Sequence, residues 1–347
     1  MVEVKKEGVI LEKTNFEFEN EGVLNPAVIR VGDSVHLFYR AVQKGNHSTI
    51  GYCRLLGPLT IAERWDKPLI VPEAEFESHG VEDARITSLD GIFYLTYTGY
   101  DGISARGALA TSKDLLHFKK QGIVVPPFTY VDFLSLVEST GKKNENYRKN
   151  YNLYYREIDP EQKMMVWDKN VIFFPRKING KIMYLHRIRP NIQIVSINSL
   201  KELTKKFWEN YALNLSEHTL MEPVYAHETC YIGSGCPPIE TEYGWLLIYH
   251  GVEETVKGPV YSACAALLER NNPSKVIARL PYPLFSPEKE WELNGEVNNV
   301  VFPTGTALFD DILYMYYGAA DERIACASVS LSALLAELKL NTRKDGK

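Results

Sequence analysis

The residues with the most chemical promise stand at the ends of aromatic, alternating segments. Glu82, Asp83 and Arg85 open one segment in the string GVEDARIT, and His186, Arg187 and Arg189 close another in HRIRPN. His227 and Glu228 precede a third, which ends on Tyr249 and His250. Asn25 opens the first segment, Arg40 ends it, and Asp321 ends the last. Carboxyl groups can give or take a proton, guanidinium groups hold anions or sugar hydroxyls, and imidazoles can do either. Each also has a plain structural reading. An Asp two positions from an Arg is often an ion pair or a turn cap. In HRIR, strand alternation puts His186 with Ile188 on one face and Arg187 with Arg189 on the other, a pairing that suits an anion or a salt-bridged surface. His250 reads equally as a satisfied structural histidine or a ligand contact.

These residues are scattered along the chain, so a fold must gather them. Five times an apolar strand runs into a polar turn and returns as an aromatic-rich strand, from Asn25, Asp83, Val171, Pro237 and Val301. The turn centres lie near Asp33, Asp90, Asn179, Tyr243 and Asp311, and each unit reads as a β-hairpin. A third strand of small and apolar residues follows every hairpin, as in IGYCRLL and IACASVS. The repeat predicts an all-β, five-bladed β-propeller occupying residues 1–347 as one domain. A β-sandwich is the alternative, but it gives no reason for five recurrences of one order. The segment GVILEKTNFEF can supply an outer strand that closes the last blade on the first. Between Phe133 and Asn170 a charged, tyrosine-rich stretch departs from the repeat and is expected to hold blade strands plus an excursion. Its polar run Gly141 to Lys149 reads as a solvated loop, or as a lid or subunit contact. Residues 330–347 predict a short amphipathic helix and a frayed tail.

Composition excludes several function classes. The 347 residues carry 39 Lys and Arg against 44 Asp and Glu, a formal net charge of -5 with no basic block, so attraction to nucleic acid is not expected. With 45% hydrophobic and 24% charged residues the chain reads as globular. The 21 Tyr, 14 Phe and 5 Trp favour strands and sugar-stacking surfaces. The five cysteines, at 53, 230, 236, 264 and 326, read as reduced thiols. No metal-ligand spacing is present, so no metal or cofactor is expected. No signal-peptide core and no run of about 18 apolar residues occurs, which predicts a cytoplasmic protein with no membrane partner, or a periplasmic one had a leader been removed.

The strings NPAVI, FYRAV, GVEDARIT, HRIRPN, GSGCPPIETEYGWLLIYHGV, NNVVFPTGT and YYGAAD resemble glycoside hydrolase family 130, the β-mannoside phosphorylases and mannosidases, from about Asn25 to Asp321. The resemblance implies a five-bladed propeller with its active site in the central channel, and mannose-containing oligosaccharides as partners. Asp83 looks like the general acid, relaying its proton through the sugar's 3-hydroxyl. Asn25, Arg40 and Asp321 match residues that hold the mannose. Arg187, Arg189, Tyr249 and His250 fall where phosphate or water approaches, and Arg85 and His186 belong to the same strings. The phosphorylase pattern has a Lys where this chain has Tyr231, with Glu228 nearby. Losing a cation and presenting a carboxylate moves the expectation toward hydrolysis. The resulting reading is an inverting, exo-acting β-1,2-mannosidase with Glu228 as base, Glu240 and Glu253 being further candidates. For inversion the two carboxyls should lie about 6.5–9.5 Å apart. The alternative is a β-1,2- or β-1,4-mannoside phosphorylase that takes inorganic phosphate as co-substrate and releases α-mannose 1-phosphate. A non-catalytic sugar-binding propeller is a third reading, and a homo-oligomer is compatible with all three.

Overall fold

The structure, a computed structural model, describes residues 2–139, 147–149 and 163–342. After β1 (Lys5–Leu11), the chain forms five antiparallel meanders. The first holds β2 (Gly22–Val31), β3 (Ser34–Gln43), β4 (His47–Leu56) and β5 (Thr60–Arg64). The second holds β6 (Gly80–Leu89), β7 (Ile92–Tyr100), β8 (Ala105–Ser112) and β9 (Lys119–Ile123). The third holds β10 (Lys169–Phe173), β11 (Ile182–Arg187), β12 (Ile192–Ile197) and β13 (Thr219–Met221). In the fourth are β14 (Tyr231–Ser234), the short β15 (Ile239–Thr241), β16 (Gly244–Thr255), β17 (Gly258–Leu268) and β18 (Val276–Arg279). The fifth has three strands, β19 (Val301–Phe309), β20 (Ile312–Ala319) and β21 (Arg323–Ser330), and β1 pairs with β21 as its outer fourth. Hydrogen bonding links the first two meanders through one parallel pair, Ser48 with Gly80.

Turn chemistry explains the hairpins. Asp90–Gly91 and Asn179–Gly180 both place two consecutive residues at positive φ, the geometry whose twist matches flanking strands. Five apolar clusters then join neighbouring meanders in order. Phe38 and Leu95 meet between the first and second, and Leu109 and Tyr184 between the second and third. Ile194 and Leu247 meet between the third and fourth, and Leu246 and Met315 between the fourth and fifth. Tyr316 and Leu37 close the series between the fifth and first.

The stretch from Phe133 to Asn170 is described only in part. It contributes a helix, Tyr130–Glu138, capped by the Thr129 hydroxyl, and no strand until Lys169 among the described residues. Phe133 and Val137 drop into the same cluster as Trp208 of the helix Lys205–Leu213, so apolar packing holds the helix Tyr130–Glu138. Most of the polar run from Gly141 lies outside the described residues. A helix at Leu331–Leu340, capped by Ser330, buries Leu334, Leu335 and Leu338 against the fourth and fifth meanders. All five cysteines are free. Among the described residues no helix is long and apolar enough to cross a membrane.

Candidate active site

The site begins with a backbone irregularity repeated in the innermost strands. The registers of β2 with β3, β6 with β7 and β10 with β11 each slip once, at Leu24/Ala27, Glu82/Arg85 and Lys169/Ile172. Within the slips stand Asn25, Asp83 and Asn170, at φ of 49°, 49° and 57°. Asn and Asp tolerate this left-handed conformation better than other residues with a Cβ, and a bulge re-aims a side chain. Ala320 and Asp321, after β20, also have positive φ, 49° and 51°.

All three bulge residues and Asp321 line one cavity of about 150 Å³. Arg40, Lys169, Arg187 and Arg189 bring four cations to it, and Tyr231, Tyr261 and Phe302 supply aromatic walls. Asn25 Nδ2 donates to Asp83 Oδ1 at 2.8 Å, and Arg40 lies 3.8 Å from the same oxygen. Glu82, beside Asp83 and buried, pairs with Arg40 at 2.9 Å and Lys169 at 3.4 Å. Gly318 makes room for this arrangement, since a Cβ there would meet Asn25 Oδ1 at 2.0 Å. Asn25 Oδ1 and Asn170 Nδ2 are buried with no hydrogen-bond partner, an arrangement that suits a polar ligand.

The two cavity carboxyls are driven in opposite directions. Burial alone would raise Asp83, but Arg40, Lys169, the Asn25 amide and Arg85 outweigh it and hold the carboxyl below its ordinary value. Burial, aided by the charge of Asp83, pushes Asp321 up to about 6 against the pull of Arg40 and Lys169. This has a consequence for stability. Below about pH 4 Asp321 is protonated in folded and unfolded chains alike. Between there and about pH 6 only the unfolded chain ionises it, so stability is lost as pH rises. Above that window the loss is complete, roughly 3 kcal/mol for about two pKa units. Asp321→Asn is therefore expected to match the wild type in urea unfolding near pH 4 and to be the more stable at pH 7. A difference that stays constant across that range would contradict the assignment.

Several residues nominated from sequence lie elsewhere. Glu228 is fully buried and both its oxygens are engaged. Tyr249 donates to Oε1 at 2.7 Å and Arg279 at 2.6 Å, while the Val224 and Tyr225 N–H groups donate to Oε2 at 2.9 and 3.2 Å. Its placement as a base facing the cavity is thus corrected: Glu228 is a strut. The same device recurs in three other meanders. Glu19 receives Tyr39 and Arg64, Glu77 receives Tyr97 and Lys120, and Glu292 receives Tyr317 and Lys6. In each, a carboxylate before the inner strand ties the second strand to a cation on the outer one. Tyr249 belongs to that strut and does not line the cavity. Glu240 is clamped between Arg176 and Arg270 at 2.6 and 2.9 Å, away from the cavity, and Glu253 does not line it either.

The third meander replaces the strut with a histidine. His186 Nδ1 lies 2.6 Å from Asp168 and Nε2 lies 2.7 Å from the Tyr211 hydroxyl, so His186 is buried on the face opposite Arg187. Arg85 sits behind Asp83, donating to the carbonyls of Gly235, Asp83 and Ala84. Burial pushes it down to about 10, so it stays cationic at neutral pH. His250 is buried behind the wall, packed on Phe302 at 4.4 Å with Nε2 3.4 Å from Arg187. Burial and the neighbouring arginines push its pKa well down, leaving a neutral ring able to accept from Arg187.

Sequence reasoning missed Lys169, Asn170 and Tyr261. Asn170 was within reach, because it opens the third hairpin just as Asn25 and Asp83 open the first two. Among the described residues, one group of three metal-capable side chains occurs, His227, Glu228 and Cys264, but Arg279 already occupies Glu228.

Known proteins share both sequence and fold with this chain. A family model for glycoside hydrolase family 130, described as beta-1,4-mannooligosaccharide phosphorylase, matches residues 6–340. The chain is 34% identical to a 1,2-beta-oligomannan phosphorylase of Thermoanaerobacter sp. strain X514 over 93% of its length and 95% of the relative's. It is 35% identical to a beta-1,2-mannobiose phosphorylase of the same organism, covering 90% and 91%. The structure of beta-1,2-mannobiose phosphorylase from Listeria innocua superposes with a TM-score of 0.73 at 22% identity, covering 97% and 99%, a likeness of fold. With a matching model over nearly the whole chain and relatives aligned end to end, this protein belongs to glycoside hydrolase family 130.

Proposed function

We propose that the chain is an inverting phosphorylase that acts on the terminal unit of β-1,2-linked mannosides and releases α-mannose 1-phosphate. We infer with it that the five meanders close around the cavity as one five-bladed propeller. The observation that carries the first reading is the charge of the cavity wall. Four cations line it, whereas the carboxyls among its described residues are Asp83 and Asp321. An inverting hydrolase needs a carboxylate to deprotonate water opposite its acid; Asp321 lies on the side of Asp83, whose charge raises it, and Glu228, Glu240 and Glu253 are committed elsewhere or off the cavity. A phosphorylase needs no such base, because phosphate is itself the nucleophile and has to be held by cations. The phosphorylase activities of the two Thermoanaerobacter relatives favour the same choice over hydrolysis.

The mechanism follows from the two sides of the cavity. Asn25, Arg40 and Asp321 hold the mannosyl unit, and Asp83 delivers a proton toward the departing oxygen. Arg187 and Arg189, with His250 behind Arg187, receive phosphate, whose oxygen attacks the anomeric carbon as the glycosidic bond breaks. The cationic field that holds Asp83 below its ordinary value is offset when a phosphate anion binds, which raises the carboxyl toward the protonated form its role requires. A cavity of about 150 Å³ is smaller than the roughly 300–1,000 Å³ of drug-sized sites. It suits one sugar ring and a small anion, in keeping with attack on a terminal unit.

The test is the initial rate of mannose release from β-1,2-mannobiose against phosphate concentration. The rate should start near zero and saturate. A rate indifferent to phosphate would return the case to hydrolysis.

A further inference from the structure

The two arginines of the proposed anion side share one neighbour. The guanidinium carbons of Arg187 and Arg189 lie 5.0 and 4.0 Å from the centroid of the Tyr231 ring. Both fall inside the roughly 6 Å over which an aromatic face attracts a cation. The Tyr231 hydroxyl accepts a hydrogen bond from Arg189 Nη2 at 3.0 Å and lies 2.7 Å from the Tyr261 hydroxyl. Backbone geometry fixes the partners further. Ile232 N–H donates to Pro190 O at 3.0 Å, tying β14 to the residue that follows Arg189.

Two like charges side by side repel, and long side chains have rotamer freedom with which to part. An aromatic face against both attracts each of them without adding charge. The hydroxyl pair then restrains Arg189 from one side, while His250 meets Arg187 from another. A ligand that must gather mobile cations loses affinity to that ordering, and a preformed pair avoids the loss.

We propose that Tyr231 is a positioning residue: its ring and hydroxyl hold Arg187 and Arg189 as a preformed pair for inorganic phosphate. Its contribution therefore falls on the anion and not on the sugar. The use made of that pair rests on the phosphorylase reading, but the arrangement rests on the contacts alone.

The experiment is calorimetric titration of the full chain with inorganic phosphate, followed by steady-state kinetics, for the wild type, Tyr231→Phe and Tyr231→Leu. Losing ring and hydroxyl in Tyr231→Leu is expected to weaken phosphate binding by about 10- to 100-fold, and losing the hydroxyl alone by about 2- to 5-fold. The KM for phosphate should rise in step while the KM for β-1,2-mannobiose stays within about twofold. Phosphate affinity within twofold of wild type in Tyr231→Leu would overturn the proposal, as would a parallel rise of both KM values. Tyr231→Phe keeps the packing, so it reads the hydroxyl's share even where Tyr231→Leu fails to fold, and unchanged phosphate affinity there counts against the proposal. A wild type that binds phosphate yet releases mannose equally well without it removes the phosphorylase reading and leaves the role of Tyr231 standing.

Discussion

Asp83→Asn is expected to lower kcat/KM for β-1,2-mannobiose by about 10²- to 10⁴-fold, the range over which a positioned acid acts, while the protein stays folded. Asparagine preserves the shape of the bulge and tolerates its positive φ. Its carbonyl oxygen can still accept from Asn25 Nδ2, which reaches Asp83 Oδ1 at 2.8 Å. Arg40 and Lys169 keep Glu82 as counter-charge, and Arg85, which loses the charge of Asp83, keeps its carbonyl acceptors on Gly235, residue 83 and Ala84. What disappears is the proton. The substitution also changes its neighbour, because the Asp83 charge helps to raise Asp321. Asp321 should then ionise at lower pH than in the wild type, though burial still holds it above an ordinary aspartate. Measured kcat/KM and the melting temperature separate the outcomes. Near-normal activity would remove Asp83 from proton transfer, and loss of the fold would make it structural.

Glu228→Ala should behave in the opposite way, failing through the fold. Its carboxylate faces Arg279, which is itself buried, and closes the tight turn through two backbone N–H groups. Removing it leaves a buried guanidinium without its charge partner, a change that costs about 3–5 kcal/mol. Against a typical total of about 5–15 kcal/mol that is a large share of the stability. Urea unfolding should show the loss directly. The fraction that remains folded at low temperature should retain turnover, and added azide should not restore any. A stable Glu228→Ala protein without activity would reinstate Glu228 as a base.

How much was legible in the sequence follows from the range of each interaction. The hairpins were legible because alternation and the Asp90–Gly91 and Asn179–Gly180 turns act over neighbouring residues. HRIR was legible for the same reason: strand parity alone separates His186, buried against Tyr211, from Arg187 and Arg189 in the cavity. Glu228 was misread because its partners come from other strands. Tyr249 lies 21 residues away and Arg279 51, so no local pattern shows that the carboxylate is already engaged. Its equivalents Glu19 and Glu77, each 20 residues before a tyrosine, were the available signal. Lys169 was hidden because it ends a stretch that lacks the repeat, whereas Asn170, beside it, stands at the same kind of register slip as Asn25 and Asp83.

The most direct test is the identity of the sugar product. Proton and phosphorus NMR of β-1,2-mannobiose incubated with the protein and inorganic phosphate should show α-mannose 1-phosphate, with one phosphate consumed for each bond broken. Two free mannoses per disaccharide, at an undiminished phosphate signal, would contradict the phosphorylase function drawn from the cations of the cavity wall.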